Sequence, residues 1–323
     1  MARFDKHVLE FDLEAEVARI SDFLRHTLAR RLNRRGAVVA VSGGVDSAVC
    51  ALLAAKALGP ERVFSLLMPE QDSSDGSTQR GRELCAGAGI AYVVENITAT
   101  LAALGCYERR DRVIRDLLPD YTPACRLKIT LADDLLGQDR LSFFNLTVQY
   151  PDGRLVKQRM PLEVYLGVVA ATNMKQRTRK LLEYHHAERL NYAVIGTPNR
   201  LEYDLGFFVR GGDGLADVKP IAHLYKTQVY ALARYLGAPA SICSQLPTTD
   251  TYSLSQTQEE FYYGLPYDQA DLLLYAFRNG IPAAPAGEGL NLSAQQVERA
   301  YRDLTGKKRM AERLHAPAII LED

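Results

Sequence analysis

The sequence predicts an α/β protein, a doubly wound parallel sheet with a β-hairpin insertion. Three observations predict it. Short unbroken apolar runs alternate with helix-forming stretches over residues 37–94. Runs of that kind suit strands buried on both faces, as in parallel sheets flanked by helices. The alternation stops near residue 105 and helix returns at about 162, with a Pro-Asp-Gly turn signal in between. Right-handed crossovers are expected in each β-α-β unit.

The elements follow in order. Residues 12–34 read as an amphipathic helix, with Val17, Ile20, Leu24 and Leu28 spaced by three and four. Its Arg-rich end at 30–35 suits a solvated C-terminal turn. Residues 37–41 form the first buried strand, and Ser42-Gly43-Gly44-Val45-Asp46-Ser47 follows it. Residues 48–58 are strong helix formers closed by Gly59. A second strand spans 63–68, a helix 77–88 and a third strand 91–94. Residues 107–160 are more charged and less regular. Within them 141–150 and 154–160 flank Pro151-Asp152-Gly153 as a hairpin, whose Phe143, Phe144, Leu146 and Val148 need an apolar surface. Helix returns at about 162–188, where Val164, Leu166, Val168 and Val169 cover more than one face. A strand at 192–195 leads into Gly196-Thr197. A helix at 226–236 ends at Gly237 with Pro239 beyond it, and 246–264 reads as a long loop. Ser293 with Gln296 opens a last helix to about 304.

The chain has 323 residues, 47% hydrophobic and 24% charged. It reads as one α/β domain over 1–323, with 107–160 inserted in it. Lys+Arg and Asp+Glu both number 39, so no global field attracts nucleic acid or an anionic membrane. No apolar run approaches the roughly 20 residues that span a bilayer, and the N-terminus does not read as a signal peptide. Five Cys without CxxC spacing argue against a disulfide framework or zinc site, and fit reduced thiols in a cytoplasmic protein.

Ser42 to Ser47 carry the chemistry. Gly43 and Gly44 allow a sharp turn and close approach of a ligand. The amides of a helix N-terminus suit phosphate, with Ser42 and Ser47 as hydroxyl donors. Asp46 would repel phosphates unless a cation lay between, so it implies Mg²⁺. Two other features read as structural. Cys50 has Ala and Leu neighbours and suits buried packing, and His185-His186 are adjacent on a helix and do not face one another.

The SGGVDS run resembles the signature of the N-type ATP pyrophosphatases, which have a Rossmann-like fold of the adenine nucleotide alpha hydrolase type. Further stretches resemble the ammonia-dependent NAD synthetase family. These are Gly196-Thr197 with Glu202, the run Gly206-Phe207-Phe208-Val209-Arg210-Gly211-Gly212-Asp213-Gly214-Leu215-Ala216-Asp217, then Pro220, Leu224 and Lys226, Pro247-Thr248, and Asn173, Lys175 and Arg177. The resemblance covers about 36–104 and 170–309. It implies that Ser42, Gly43, Gly44, Asp46 and Ser47 bind ATP phosphates, with Thr197 and Thr248 also on ATP. Asp46 and Glu202 would hold Mg²⁺, and Lys226 would neutralise the leaving pyrophosphate. Arg177, Arg210, Asp217, Lys307 and Lys308 would hold the acceptor. The implied reaction adenylates the carboxylate of nicotinic acid adenine dinucleotide (deamido-NAD), and ammonia then displaces AMP to give NAD. A homodimer is implied too.

The sequence departs from the family pattern in places. Gln258 stands where an acid is usual, Arg210 where Lys is common, and the 107–160 stretch precedes Arg177. These changes leave the ATP half intact. They keep open the same ligase chemistry on another carboxylic acid, small or carrier-bound. A catalytically silent nucleotide-binding subunit is a third reading, against which Asp46, Glu202 and Lys226 argue.

Overall fold

The structure is a computed structural model and describes residues 4–131, 144–246 and 251–321. Its elements run in the order α1 (Leu13–His26), β1 (Ala37–Ala40), α2 (Val45–Leu58), β2 (Val63–Leu67), α3 (Asp75–Ala88), β3 (Ala91–Val94), α4 (Thr98–Ala103) and α5 (Cys106–Leu117). Then come β4 (Arg126–Leu131), β5 (Phe144–Gln149), β6 (Leu155–Arg159), α6 (Leu162–Leu190), β7 (Ala193–Ile195) and α7 (Arg200–Leu205). The chain continues with α8 (Lys226–Tyr235), α9 (Ala240–Cys243), α10 (Tyr267–Arg278), α11 (Ala283–Leu290) and α12 (Ala294–His315).

The first sheet has the order β3-β2-β1-β7 and every pair is parallel. Alternation along its strands divides the core into two faces. Ala37, Val39, Val63, Leu67 and Ile195 pack with α1, α2 and α8, while Val38, Leu66 and Val194 pack with α4, α5 and α6. That is the doubly wound arrangement. Helix α2 is buried almost all round, from Val45 through Ala57, because α1, α8 and the sheet surround it. The loop before it is therefore fixed to a rigid frame.

The second sheet is antiparallel, in the order β4-β5-β6. The hairpin around Pro151-Asp152-Gly153 is its β5–β6 pair. Leu146 and Val148 stand opposite Ile129 and Leu127, and all four are fully buried on α5 and the start of α6. The outer edge of β4 is covered by the 252–256 segment. Leu254 N donates to the Leu127 carbonyl (3.0 Å), and Gln256 Nε2 donates to the Ile129 carbonyl. The sequence reading missed α5 and β4, both in the charged stretch, and ended α12 eleven residues early. In α5 Arg110 and Asp111 are buried as ion-pair partners, so the hydrophobic pattern is diluted. Phe143 of the expected hairpin lies outside the described residues. Among the described residues, no helix is long and apolar enough to cross a membrane.

Candidate active site

The chain leaves β1 for β2 on one side, while β7 joins the other side of β1. A crevice at the strand ends, where the order reverses, is where open α/β sheets bind ligands. A cavity of about 460 Å³ lies there, walled by residues 42–47, by Thr197 and Glu202 beyond β7, and by Lys226. Gly43 has φ +80°, and a Cβ there would come within 2.4 Å of the Ser77 carbonyl oxygen, so only glycine fits. Gly44 differs: its φ of −93° suits any residue, and it caps α2. The Ser42 and Ser47 hydroxyls lie 3.2 Å apart, and Ser47 Oγ donates to the Gly44 carbonyl (3.0 Å). The loop thus arrives pre-folded.

Asp46, in the first turn of α2, meets two side chains from distant elements. One carboxylate oxygen pairs with Lys226 Nζ, and the other accepts from Asn199 Nδ2 at 3.0 Å. Lys226 opens α8 and is 1% exposed. Burial opposes its charge, but Asp46 and Glu202 together hold its ammonium above the usual range. Asn199 caps α7 in a capping box with Glu202, which fixes both side chains. Burial, then repulsion from Asp46, pushes the Glu202 carboxyl up to about 8. Gln258 Nε2 donates to Glu202 Oε1 (3.3 Å), and Gln258 Oε1 accepts from Tyr267 (2.9 Å). An acid at 258 would instead place a third carboxylate here, so the departure has a physical sense.

Helix α8 is held from behind by Asp271 of α10, which is fully buried. Its carboxylate accepts from the Lys226 amide (3.1 Å), the Thr227 amide (2.7 Å) and the Thr227 hydroxyl (2.8 Å). It thereby supplies the N-terminal acceptor that the helix lacks locally. On the other wall, Lys175 of α6 is 1% exposed and donates to Glu70 (2.8 Å), Asp72 (2.7 Å) and the Thr251 carbonyl (2.8 Å). Arg110 of α5 pairs with Asp72 (2.6 Å) and Asp111 (2.9 Å). Burial would raise Asp72, but Lys175 and Arg110 hold it below its ordinary value. This network ties the β2–α3 loop, α5, α6 and the 251 segment together. Asn199, Asp271 and the Lys175 contacts are functional candidates that the sequence reading missed. Asn199 left a signal as an N-cap residue three before a Glu, and Lys175 left one as part of the Asn173–Lys175–Arg177 resemblance.

The structure thus brings Ser42, Gly43, Gly44, Asp46, Ser47, Thr197, Glu202 and Lys226 to one cavity. Thr248 lies outside the described residues. Arg177, Arg210, Asp217, Lys307 and Lys308 are not in that cavity wall. Arg177 Nε donates to the Arg210 carbonyl (3.2 Å), and Arg210 reaches the Ala316 carbonyl (3.1 Å). Asp217 accepts from the Val194 amide (2.8 Å) and the Tyr184 hydroxyl (3.3 Å). Lys307 pairs with Asp303 (2.7 Å) and donates to the Tyr262 carbonyl (2.7 Å), while Lys308 is exposed. Cys50 is fully buried and its thiol is pushed up by burial. His186 pairs with Glu95 (2.5 Å), and His185 is exposed.

A parallel sheet with a pre-folded phosphate-type loop at its switch point, facing a buried acid–lysine cluster, defines a nucleotide-binding α/β protein. Comparison narrows the class. The NAD synthase family model matches residues 16–117 and 151–310, and the chain belongs to that family. It is 54% identical over 312 residues to the NH3-dependent NAD+ synthetase of Rhizobium meliloti, covering 97% of this chain and 93% of that one. Among solved structures, an NMN synthetase from Francisella tularensis superposes with a TM-score of 0.67 at 22% identity, covering 97% of this chain and all of that one. An NH3-dependent NAD synthetase from Campylobacter jejuni does so with a TM-score of 0.62 at 23% identity and the same coverage. Both agree in fold. The family model leaves 118–150 unmatched, the stretch that holds β4 and β5.

Proposed function

We infer that the chain catalyses ATP-dependent amidation of deamido-NAD to NAD with ammonia. The observation that carries this is the Asp46–Lys226–Glu202 cluster beside the phosphate loop, in a chain of the NAD synthase family. The acceptor carboxylate attacks the α-phosphorus of ATP and pyrophosphate leaves. Ammonia then attacks the acyl carbon, AMP leaves and a proton is lost. No protein nucleophile is needed. The chain's part is to position reactants and neutralise charge. The loop amides and Ser42 and Ser47 cradle phosphate, Thr197 touches ATP, and Lys226 neutralises the departing pyrophosphate.

Mg²⁺ belongs to this reading. The donor set fits it: two carboxylates, Asp46 and Glu202, without imidazole or thiolate. Asp46 and Glu202 would hold the ion together with oxygens of the nucleotide, the hard donors that Mg²⁺ takes. Bound there, the ion would offset charge between the carboxylates and ATP. Arg177, Arg210, Asp217, Lys307 and Lys308 would take the acceptor from outside the cavity wall, across a homodimer. Support for the dimer comes from α6, where Leu162, Leu166 and Leu181 are exposed. The chain is read as one domain, with 107–160 inserted in it, working in the cytoplasm.

The test is pyrophosphate release with ATP, Mg²⁺, ammonium and candidate acids. Release with deamido-NAD is expected. Release only with another acid would replace the acceptor, and none with any acid would overturn the enzyme reading. Sedimentation should show a dimer, and a stable monomer at micromolar concentration would remove that part.

A further inference from the structure

The antiparallel sheet does more than pack on its own neighbours. Phe144, Leu146 and Val148 lie on one face of β5, two residues apart. Leu146 and Val148 are fully buried in the sheet's own core, but Phe144 is only half-buried and forms part of the cavity wall. Its ring stacks on Tyr165 of α6, with centroids 4.2 Å apart and planes 9° from parallel. Phe261 lies 6.3 Å from Phe144, Phe207 lies 5.9 Å from Phe261, and Tyr262 stacks on Phe207 at 4.8 Å. All five rings are half-buried and line the same cavity as the phosphate loop. A row that begins in a strand core thus ends in a band of aromatic surface open to the cavity. Such a band beside charged groups suits a flat apolar ring. The sheet that supplies Phe144 lies mostly outside the stretch the family model matches.

We propose that Phe144 is a specificity-determining residue, which with Tyr165 and Phe261 forms a stacking platform for a heteroaromatic ring of the acceptor. This rests on the reading that the acceptor is a pyridine–adenine dinucleotide. ATP is left the part of the cavity beside the phosphate loop, where Arg80 Nε donates to the Gly43 carbonyl (3.2 Å) and Ser77 packs on Gly43. The inserted sheet then acts on acceptor selection, without contact with the charge cluster at Asp46.

Steady-state kinetics of Phe144→Ala, Phe144→Leu and Phe144→Tyr in the full chain test this, with wild type assayed alongside. If wild type releases no pyrophosphate with deamido-NAD, the reading of the reaction fails before the platform is reached. With wild type active, loss of one stacking ring should raise the acceptor KM about tenfold in the Ala and Leu variants. KM for ATP and kcat should stay near wild type, and Phe144→Tyr should restore acceptor binding. Nicotinic acid mononucleotide, as acceptor or competitor, separates the two rings. If its affinity falls with that of the dinucleotide, the pyridine ring stacks; if only the dinucleotide suffers, the adenine does. An unchanged acceptor KM would overturn the proposal. So would equal shifts in both KM values, or Phe144→Leu behaving as wild type, because filling space would then suffice.

Discussion

The two sheets of this protein are held by different means and give the cavity different things. The parallel sheet is covered on both sides by helices, and Val38, Val39, Leu66 and Val194 are fully buried in it. It contributes charge to the cavity, Asp46 just beyond β1 and Glu202 just beyond β7, with Asn199 donating to Asp46. The antiparallel sheet buries its apolar residues on one face, and β6 is largely exposed along its length. It contributes aromatic surface through Phe144. The contrast teaches a division of labour. Groups whose charge must be fixed to a fraction of an ångström stand on the frame that is hardest to deform. A surface that selects a partner molecule can stand on a smaller sheet tied on at its rim.

The sharpest way to break that division is Asp46→Asn. The expected loss of turnover is several orders of magnitude, since on the proposed function Asp46 would hold the Mg²⁺ that offsets phosphate charge. Folding should hardly change, for a reason the geometry supplies. Without Asp46, the repulsion that helps to raise Glu202 disappears. Glu202 still acts on the Lys226 ammonium through its charge, so the lysine keeps an acidic neighbour. Turnover above about a tenth of wild type at saturating Mg²⁺ would remove Asp46 from the mechanism. A collapse of the melting temperature would show the cluster to be structural.

Lys175→Met probes the tie between the two halves. It leaves Glu70 and Asp72 buried with one charge partner fewer, at a cost of about 3–5 kcal/mol. The urea midpoint should fall at an unchanged slope. Adding Asp72→Asn and Glu70→Gln should recover part of the loss, because unpaired buried charge is what costs. If Lys175→Met were neutral, the network would not hold the halves together.

Asp271→Asn is smaller and carries a pH signature. Two amides and a hydroxyl converge on the carboxylate, and an amide side chain accepts less well, so about 1–3 kcal/mol is lost. Burial pushes the Asp271 carboxyl up to about 6 from an ordinary 3.8, outweighing the three donors. The folded chain therefore holds this proton more tightly than the unfolded one. The group's stabilising share is full below 3.8 and drains away as pH rises through about 6. Denaturant titrations between those values should show a shallower fall for the Asn variant than for wild type. Identical slopes would mean that Asp271 titrates normally.

The same contrast explains what the sequence could say. The parallel sheet was legible because strands buried on both faces must be apolar throughout, and 37–41 and 63–68 are. The charge cluster was legible in its parts, since a carboxylate in a phosphate-type loop demands a cation, but its geometry was not. Asp46 and Lys226 are 180 positions apart, and Asp271 lies 45 beyond Lys226. The Lys175 network was hidden for another reason. Lys175, Arg110 and Asp72 look like surface residues in a linear reading, and only the fold puts them inside together. Helix α5 went unseen because its buried face is partly charged. Phe144 was legible as an apolar residue in need of cover, and its half-open position at the cavity was not.

The smallest expected effect lies within the second sheet. Leu155 begins β6, pairs with Gln149 and is 62% exposed. Leu146, one strand over, is fully buried. Leu155→Lys removes almost no packing, and a charge on an exposed edge strand is well tolerated. Stability should stay within about 0.5 kcal/mol of wild type. Leu146→Ala, by comparison, should cost about 2–5 kcal/mol through the cavity it leaves. Because Leu155 faces away from the cavity wall, acceptor KM should not move in Leu155→Lys while it rises in Phe144→Ala. Should Leu155→Lys raise acceptor KM as far as Phe144→Ala does, the exposed side of the sheet would share in acceptor binding. The sheet would then no longer divide into one face that selects and one that only meets solvent.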